Sequence, residues 1–265
     1  MSPSPRSWRR ASPGPPRPRG RRACGRWSRR RPGVSCSRVI LSPGRSAIAL
    51  EPAAAGSRAE RGRGWIHVLC GPMASGKTEE MIRLLRRAEI AGRRVLVVNH
   101  ALNTRSGADR IESRSGVAFA SRAVSDSDQI AAIVTEMDPD LVAVEEAEFF
   151  DNGLADVVER LADDGCEVIL TGLDRDFRGW PFGPMPRLLV IADEVDKLTA
   201  ICVVCKGVAT RTQRLINGRP APADSPTIVV GGINDPAGKP ESYEARCRRC
   251  HEVPGLDSLF GPWLG

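Results

Sequence analysis

A chain of 265 residues, 41% hydrophobic and 27% charged, has room for one large domain or one domain and a small module. No apolar run approaches the ~18 residues of a membrane span. The formal charge of +7 hides two opposed parts: residues 1–64 hold 16 Arg, no Lys and only Glu51 and Glu60 as acids, a balance of +14 that leaves −7 for residues 65–265. An acidic body with no aromatic–basic patch argues against a module that tracks nucleic acid.

The head, residues 1–64, is rich in Pro, Gly, Ser and Arg and has neither a helical nor a strand period. It cannot bury a core and is expected to be disordered. Three readings fit it: a tail for nucleic acid or an anionic surface, an Arg-rich, acid-poor transit peptide, or a gene-calling artefact upstream of a non-AUG start. The third rests on the absence of any Met between Met1 and Met73.

At residue 65 the character changes. An apolar run (Trp65, Ile66, Val68, Leu69, Cys70) meets Gly71-Pro-Met-Ala-Ser-Gly-Lys-Thr, the pattern G-x-x-x-x-G-K-[ST] between a strand and a helix. In such a loop the glycines let successive N–H groups face phosphate oxygens, and the helix start adds its own orphan donors. Gly71, Met73, Ala74, Ser75, Gly76, Lys77 and Thr78 are therefore the expected nucleotide cradle. Lys77 reaches the β/γ-phosphates and Thr78 ligates Mg²⁺.

A helix is expected over residues 79–91, closed by Gly92, followed by a buried strand at 94–98. Residues 99–124 lack period and read as a functional loop with a short strand near 117–120. A helix follows at 125–137, capped by Ser125 or Asp126. The strand at 141–144 runs directly into Glu145-Glu146, then come a helix at 154–162, a strand at 166–171 and a short helix at 186–192. The alternation predicts an α/β fold: a P-loop NTPase with a mostly parallel sheet covered by helices on both faces. Strand ends of such sheets gather ligands. The adjacent acids then divide the work, with Glu145 toward the metal and Glu146 as base for an incoming hydroxyl.

Of eight cysteines, four form Cys202-x-x-Cys205 and Cys247-x-x-Cys250, with 41 residues between the pairs. Each pair suits one half of a tetrahedral zinc site, with a disulfide or redox pair as the competing reading and His251 as a substitute for Cys250. The metal would tie the base of a Pro/Gly-rich loop around a β-run at 227–230. Cys70 and Cys166 read as small buried apolar residues. No signal peptide and a reduced-thiol site point to the cytoplasm.

Together these stretches resemble the type II thymidine kinase family in its bacterial form, over about residues 65 to 254. The resemblance is carried by the 71–78 loop, Glu145-Glu-Ala-Glu-Phe-Phe, Gly172-Leu-Asp-Arg-Asp-Phe-Arg-Gly-Trp-Pro-Phe-Gly, Lys197-Leu-Thr-Ala-Ile-Cys-Val-Val-Cys, Arg211-Thr-Gln-Arg, Val230-Gly-Gly and Tyr243-Glu-Ala-Arg-Cys-Arg-Arg-Cys. It implies a RecA-like kinase domain at 65–196, a zinc-anchored lasso domain at 197–254 and a tail at 255–265. The implied reaction is ATP-dependent phosphorylation of the thymidine 5′-hydroxyl, giving dTMP and ADP in nucleotide salvage.

In that family the acid at Glu146 is the catalytic base. Met73, Phe149 and Phe177 would line the thymine pocket, while Val230 and Tyr243 would grip base and sugar. Arg105 and Glu148 would lie near the ATP phosphates. ATP and Mg²⁺ are then the working cofactors and Zn²⁺ the structural one. A homotetramer inhibited by dTTP, with no membrane contact, is also implied, and any nucleic acid would be bound through the basic head. The chain departs from the family pattern at Glu145 (usually Asp), Glu148 (usually Gln), Asn103 (usually Asp) and Trp180 (usually charged or polar). Two other readings remain: a P-loop NTPase whose zinc module acts on nucleic acid, and a non-catalytic nucleoside binder.

Overall fold

A computed structural model describes residues 62–102, 110–112, 116, 118–227 and 241–256. The expectations for nearly all of the head, for Asn103 and Arg105, for Val230 and for most of the tail concern residues outside this set.

The chain begins with β1 (Trp65–Cys70), α1 (Lys77–Ile90), β2 (Val95–His100), β3 (Arg110–Glu112), β4 (Ala118–Ala120) and β5 (Arg122–Val124). It continues through α2 (Ser127–Met137), β6 (Leu141–Glu145), a 3-10 turn (Ala147–Phe149), α3 (Leu154–Asp163), β7 (Glu167–Gly172), α4 (Met185–Ile191) and β8 (Glu194–Lys197). Six of these strands form one sheet in the order β5-β2-β6-β7-β1-β8. Every pairing in it is parallel.

Strand alternation sorts the side chains into two cores. Ile66, Val68, Val142, Val144, Val168 and Leu170 face α2, α3 and α4. Leu69, Val97, Leu141, Ala143 and Ile169 face α1, whose stripe of Met81, Ile82, Leu84, Leu85 and Ala88 covers them. Each buried Leu, Ile or Met side chain contributes about 1.5–3 kcal/mol, so α1 is fixed by packing at the carboxyl end of β1. It stops where expected: Gly92, at φ +74°, lets the chain reverse while Arg93 N–H returns to the Ala88 carbonyl at 3.0 Å. Of the two cap candidates for α2 the structure uses Asp126, which accepts from Gln129 N–H at 2.9 Å.

Three features differ from expectation. Residues 99–124 contain more than one short strand: β3 and β4 pair as an antiparallel hairpin, and β5 joins the main sheet beside β2. The Glu-Val-Asp-Lys run of β8 is an edge strand, polar because only one neighbour covers it. Beyond it, β9 (Ala200–Ile201) pairs with β10 (Val208–Ala209). Then β11 (Arg211–Ile216) forms the centre of a small antiparallel sheet between β12 (Arg219–Pro220) and β13 (Glu241–Arg246). Only residue 227 of the expected β-run at 227–230 falls within the described residues.

Candidate active site

The phosphate loop is bent by backbone that side chains would block. Gly71 lies at φ +145°, where a Cβ would sit 2.4 Å from the Leu198 carbonyl oxygen, and Gly76 at φ +87° opens α1. Ala74 also takes a left-handed φ of +61°. Lys77 folds back over the loop, its Nζ donating to the carbonyls of Gly71 at 3.1 Å and Pro72 at 2.9 Å. Burial pushes the Lys77 amine below its ordinary range, and the nearby acids Glu146 and Asp174 pull it back. A lysine parked on its own loop carbonyls is ready to exchange them for phosphate oxygens.

Glu145 ends β6 across from the loop and is 4% exposed. The Thr78 hydroxyl donates to its Oε1 at 2.7 Å, which joins the two residues expected to hold Mg²⁺. A hydroxyl and a carboxylate side by side are the hard oxygen donors that this ion takes, so the residues present fit it. The extra methylene of Glu145, relative to Asp, is accommodated by this direct contact.

Glu146 then leaves the strand in a left-handed conformation, φ +52° and ψ +50°, at the start of the 3-10 turn. For a residue with a long side chain this costs about 1–2 kcal/mol. The cost turns Glu146 out of the strand direction, half-buried beside the loop. Glu148 lies in the same turn, 3% exposed, and its Oε2 meets no hydrogen-bond partner among the described residues. Burial first, and the Glu146 charge second, push the Glu148 carboxyl up to about 8. Both causes favour the uncharged acid, which like an amide offers one donor and one acceptor. The turn is packed closely on its far side: a Cβ on Gly183 would lie 2.1 Å from the Glu148 carbonyl oxygen.

The residues expected at the nucleoside are joined to the loop through β11. Met73 N–H donates to the Thr212 hydroxyl at 3.1 Å. The Gln213 amide exchanges two hydrogen bonds with the Glu252 backbone, both 2.8 Å. Arg214, almost wholly buried, places its guanidinium 5.4 Å from the Phe177 ring and donates to Glu241 at 2.8 Å and to the Pro226 carbonyl. Tyr243 of β13 pairs with Arg214 in register and is half-buried. Phe149 meets Phe182 edge to face at 5.8 Å. Trp180 takes its place through Arg178, which lies over the Trp180 ring at 4.5 Å and the Phe177 ring at 5.5 Å.

Residue-by-residue reading of the sequence did not single out Asp174 or Thr212 as contributors, and it considered His251 only as a metal ligand. Asp174, buried, pairs with Lys197 at 2.7 Å and acts on the Lys77 charge. His251 holds the Phe177 carbonyl from Nε2 at 2.8 Å, which spends it there and not as a substitute metal ligand. An acid inside the glycine-rich Gly-Leu-Asp-Arg-Asp-Phe-Arg-Gly run was the available signal for Asp174.

Cys202, Cys205, Cys247 and Cys250 converge, their sulfurs all within 4.8 Å of one another. Cys205 and Cys247 Sγ stand 3.6 Å apart, near the ~3.8 Å of two thiolates at ~2.3 Å on a tetrahedral zinc. None of the four is in a disulfide. Backbone N–H groups, that of Cys205 first, bring the Cys202 thiol down to about 6, while hydrogen bonding with Cys247 pushes Cys250 up to about 12. The core beneath is only Ala200, Cys202, Ala209 and Ala245. So small an apolar cluster needs a staple, and four thiols at this spacing fit zinc. Cys70 and Cys166 are fully buried, as expected.

The family model described as "Thymidine kinase" matches residues 64–251. Among solved structures, the genome packaging NTPase B204 of Sulfolobus turreted icosahedral virus 2, in complexes with sulfate and with ATP-gammaS, aligns at 15% identity and TM-score 0.35, over 51% of this chain and 74% of that one. The ATPase DotB of Legionella pneumophila aligns at 17% identity and TM-score 0.32, over 48% of this chain and 34% of its own.

Proposed function

Because the chain belongs to the thymidine kinase family, we propose that it transfers the γ-phosphate of ATP to the 5′-hydroxyl of thymidine, giving dTMP and ADP. The observation that carries this reading is Glu146, held at φ +52° beside a phosphate loop whose Thr78 is bonded to Glu145. Strained backbone of this kind is kept where the side chain is needed in one place. Glu146 accepts the proton of the 5′-hydroxyl as the new O–P bond forms and the bond from Pγ to the bridging oxygen of ADP breaks. Lys77 turns from the Gly71 and Pro72 carbonyls to the transferring phosphate. Mg²⁺, when bound near Thr78 and Glu145, would neutralise phosphate charge. Burial and Glu146 disfavour the charge on Glu148, which lowers its repulsion against ATP.

On the nucleoside side, Met73, Phe149, Phe177 and Tyr243 form the base-binding wall; family membership adds Val230 as a grip on base and sugar and Arg105 as a contact for the ATP phosphates. A flat pyrimidine suits aromatic and Met side chains, and a closing segment tied by a zinc staple at 197–254 keeps water from the γ-phosphate. Zn²⁺ is structural in this reading, and the working protein is a cytoplasmic homotetramer. Among the described residues no helix is long and apolar enough to cross a membrane.

The test is phosphorylation from radiolabelled ATP across a panel of deoxynucleosides. Thymidine is expected to lead. Glu146→Gln is expected to cut turnover by about 10²–10⁴-fold with nucleotide affinity retained. Unchanged turnover would refute the base assignment, and ATP hydrolysis stimulated by DNA but not by thymidine would refute the kinase.

A further inference from the structure

On the opposite side of β1 from the α2–α4 core, one position interrupts the apolar run. His67 is 1% exposed in a strand whose other members, from Ile66 to Cys70, are buried and apolar. The parallel register places His67 beside Glu194, with Leu69 beside Asp196. Residues two apart share a face, so the imidazole and both carboxylates fall on the α1 side of the sheet edge. Their ligand atoms lie within 4.8 Å of one another.

As it stands this trio is poorly satisfied. His67 Nε2 is 3.1 Å from Asp196 Oδ2, but its Nδ1 meets no partner among the described residues, and neither does the buried Oε1 of Glu194. On the facing helix, Arg83 feels the Asp196 charge yet spends its guanidinium on Glu80 at 2.8 Å. Two acids at close range with an orphaned oxygen form a costly arrangement unless a positive charge joins them.

We propose that His67, Glu194 and Asp196 form a second metal site that takes a first-row divalent cation. Imidazole with two carboxylates suits zinc or manganese better than the all-oxygen ions. Three protein ligands would leave a position for water. The 3.1 Å between Nε2 and Oδ2 compares with ~3.3 Å for two ligand atoms each ~2.0–2.1 Å from a tetrahedral zinc. On binding, the ion takes the place of the hydrogen bond between His67 Nε2 and Asp196, and the neutral imidazole carries its one proton on Nδ1. The site lies outside the thiol cluster and the phosphate loop but is linked to both. Past Lys197, Leu198 N–H bonds the Cys70 carbonyl at 2.8 Å, its own carbonyl abuts Gly71, and the chain then enters the cysteine module. An ion clamping β8 to β1 would therefore stiffen the strand that joins loop and module.

The experiment uses the full chain without nucleotide, equilibrated with Zn²⁺, and reads zinc per chain and the thermal midpoint. The wild type is expected to hold about two ions, and His67→Val and Asp196→Asn about one, with affinity for the second weakened roughly tenfold or more. Added Zn²⁺ should raise the midpoint of the wild type but not of the variants. Asp196 is half-exposed, so its variant separates ligand loss from a folding defect at His67. Co²⁺ substitution supplies a second readout: the added ion should show no thiolate charge-transfer band. Equal zinc content in all three proteins, or a second ion lost in Cys205→Ser and kept in His67→Val, would overturn the proposal.

Discussion

Glu148→Gln should stabilise the protein, and by more as the pH rises. The wild-type carboxyl is pushed from 4.5 to about 8, by burial first and by Glu146 second, with Lys77 opposing. A group whose pKa is higher folded than unfolded holds an extra proton in the folded state between those two values. Its contribution is whole below pH 4.5 and is lost progressively as pH climbs to about 8. At ~1.4 kcal/mol per unit, the loss is roughly 5 kcal/mol. Gln keeps the shape and carries no such proton. Urea unfolding of both proteins at pH 5, 7 and 9 should show their stabilities diverging, with the variant ahead by about 2–5 kcal/mol at pH 9. Parallel profiles would mean that Glu148 is ionised when folded, and the account of its burial beside Glu146 would fail.

Further outcomes follow from single contacts. Gly71→Ala places a Cβ 2.4 Å from the Leu198 carbonyl, and nucleotide affinity, read by isothermal titration, should fall roughly tenfold or more, or about 1.4 kcal/mol. Thr78→Val removes the 2.7 Å hydrogen bond to Glu145, so turnover should drop and the Mg²⁺ needed for half-maximal rate should rise. Stripping zinc with a chelator, or Cys247→Ser, leaves a module with little more than alanines at its centre; limited proteolysis should cut within residues 197–254 while the parallel sheet resists. His251→Ala frees the Phe177 carbonyl and should raise the KM for thymidine more than it lowers kcat.

Much of the parallel sheet was legible because its strands are continuous apolar runs between helices with clear stops. Gly92 ends α1 and Asp126 caps α2 as residue chemistry requires. β8 was not legible: an edge strand has one covered side, and Glu-Val-Asp-Lys looks like a solvated turn. The small sheet of β11–β13 escaped for a related reason, since Thr212, Gln213 and Arg214 are polar residues buried by strand pairing and hydrogen bonds and not by apolarity. Local pattern carries no record of which distant backbone will satisfy them.

The sequence by itself determined the phosphate loop, the paired acids after β6, the four cysteines and, through their order, the family. Those signals are local, because each chemistry demands fixed residue types at fixed short spacings. Only the tertiary structure decided the left-handed turn that swings Glu146 out and the burial that disfavours the charge on Glu148. It alone brought Thr212 to Met73, and Glu194 and Asp196 to His67. These depend on which strands become neighbours, and that is settled by packing across the whole sheet.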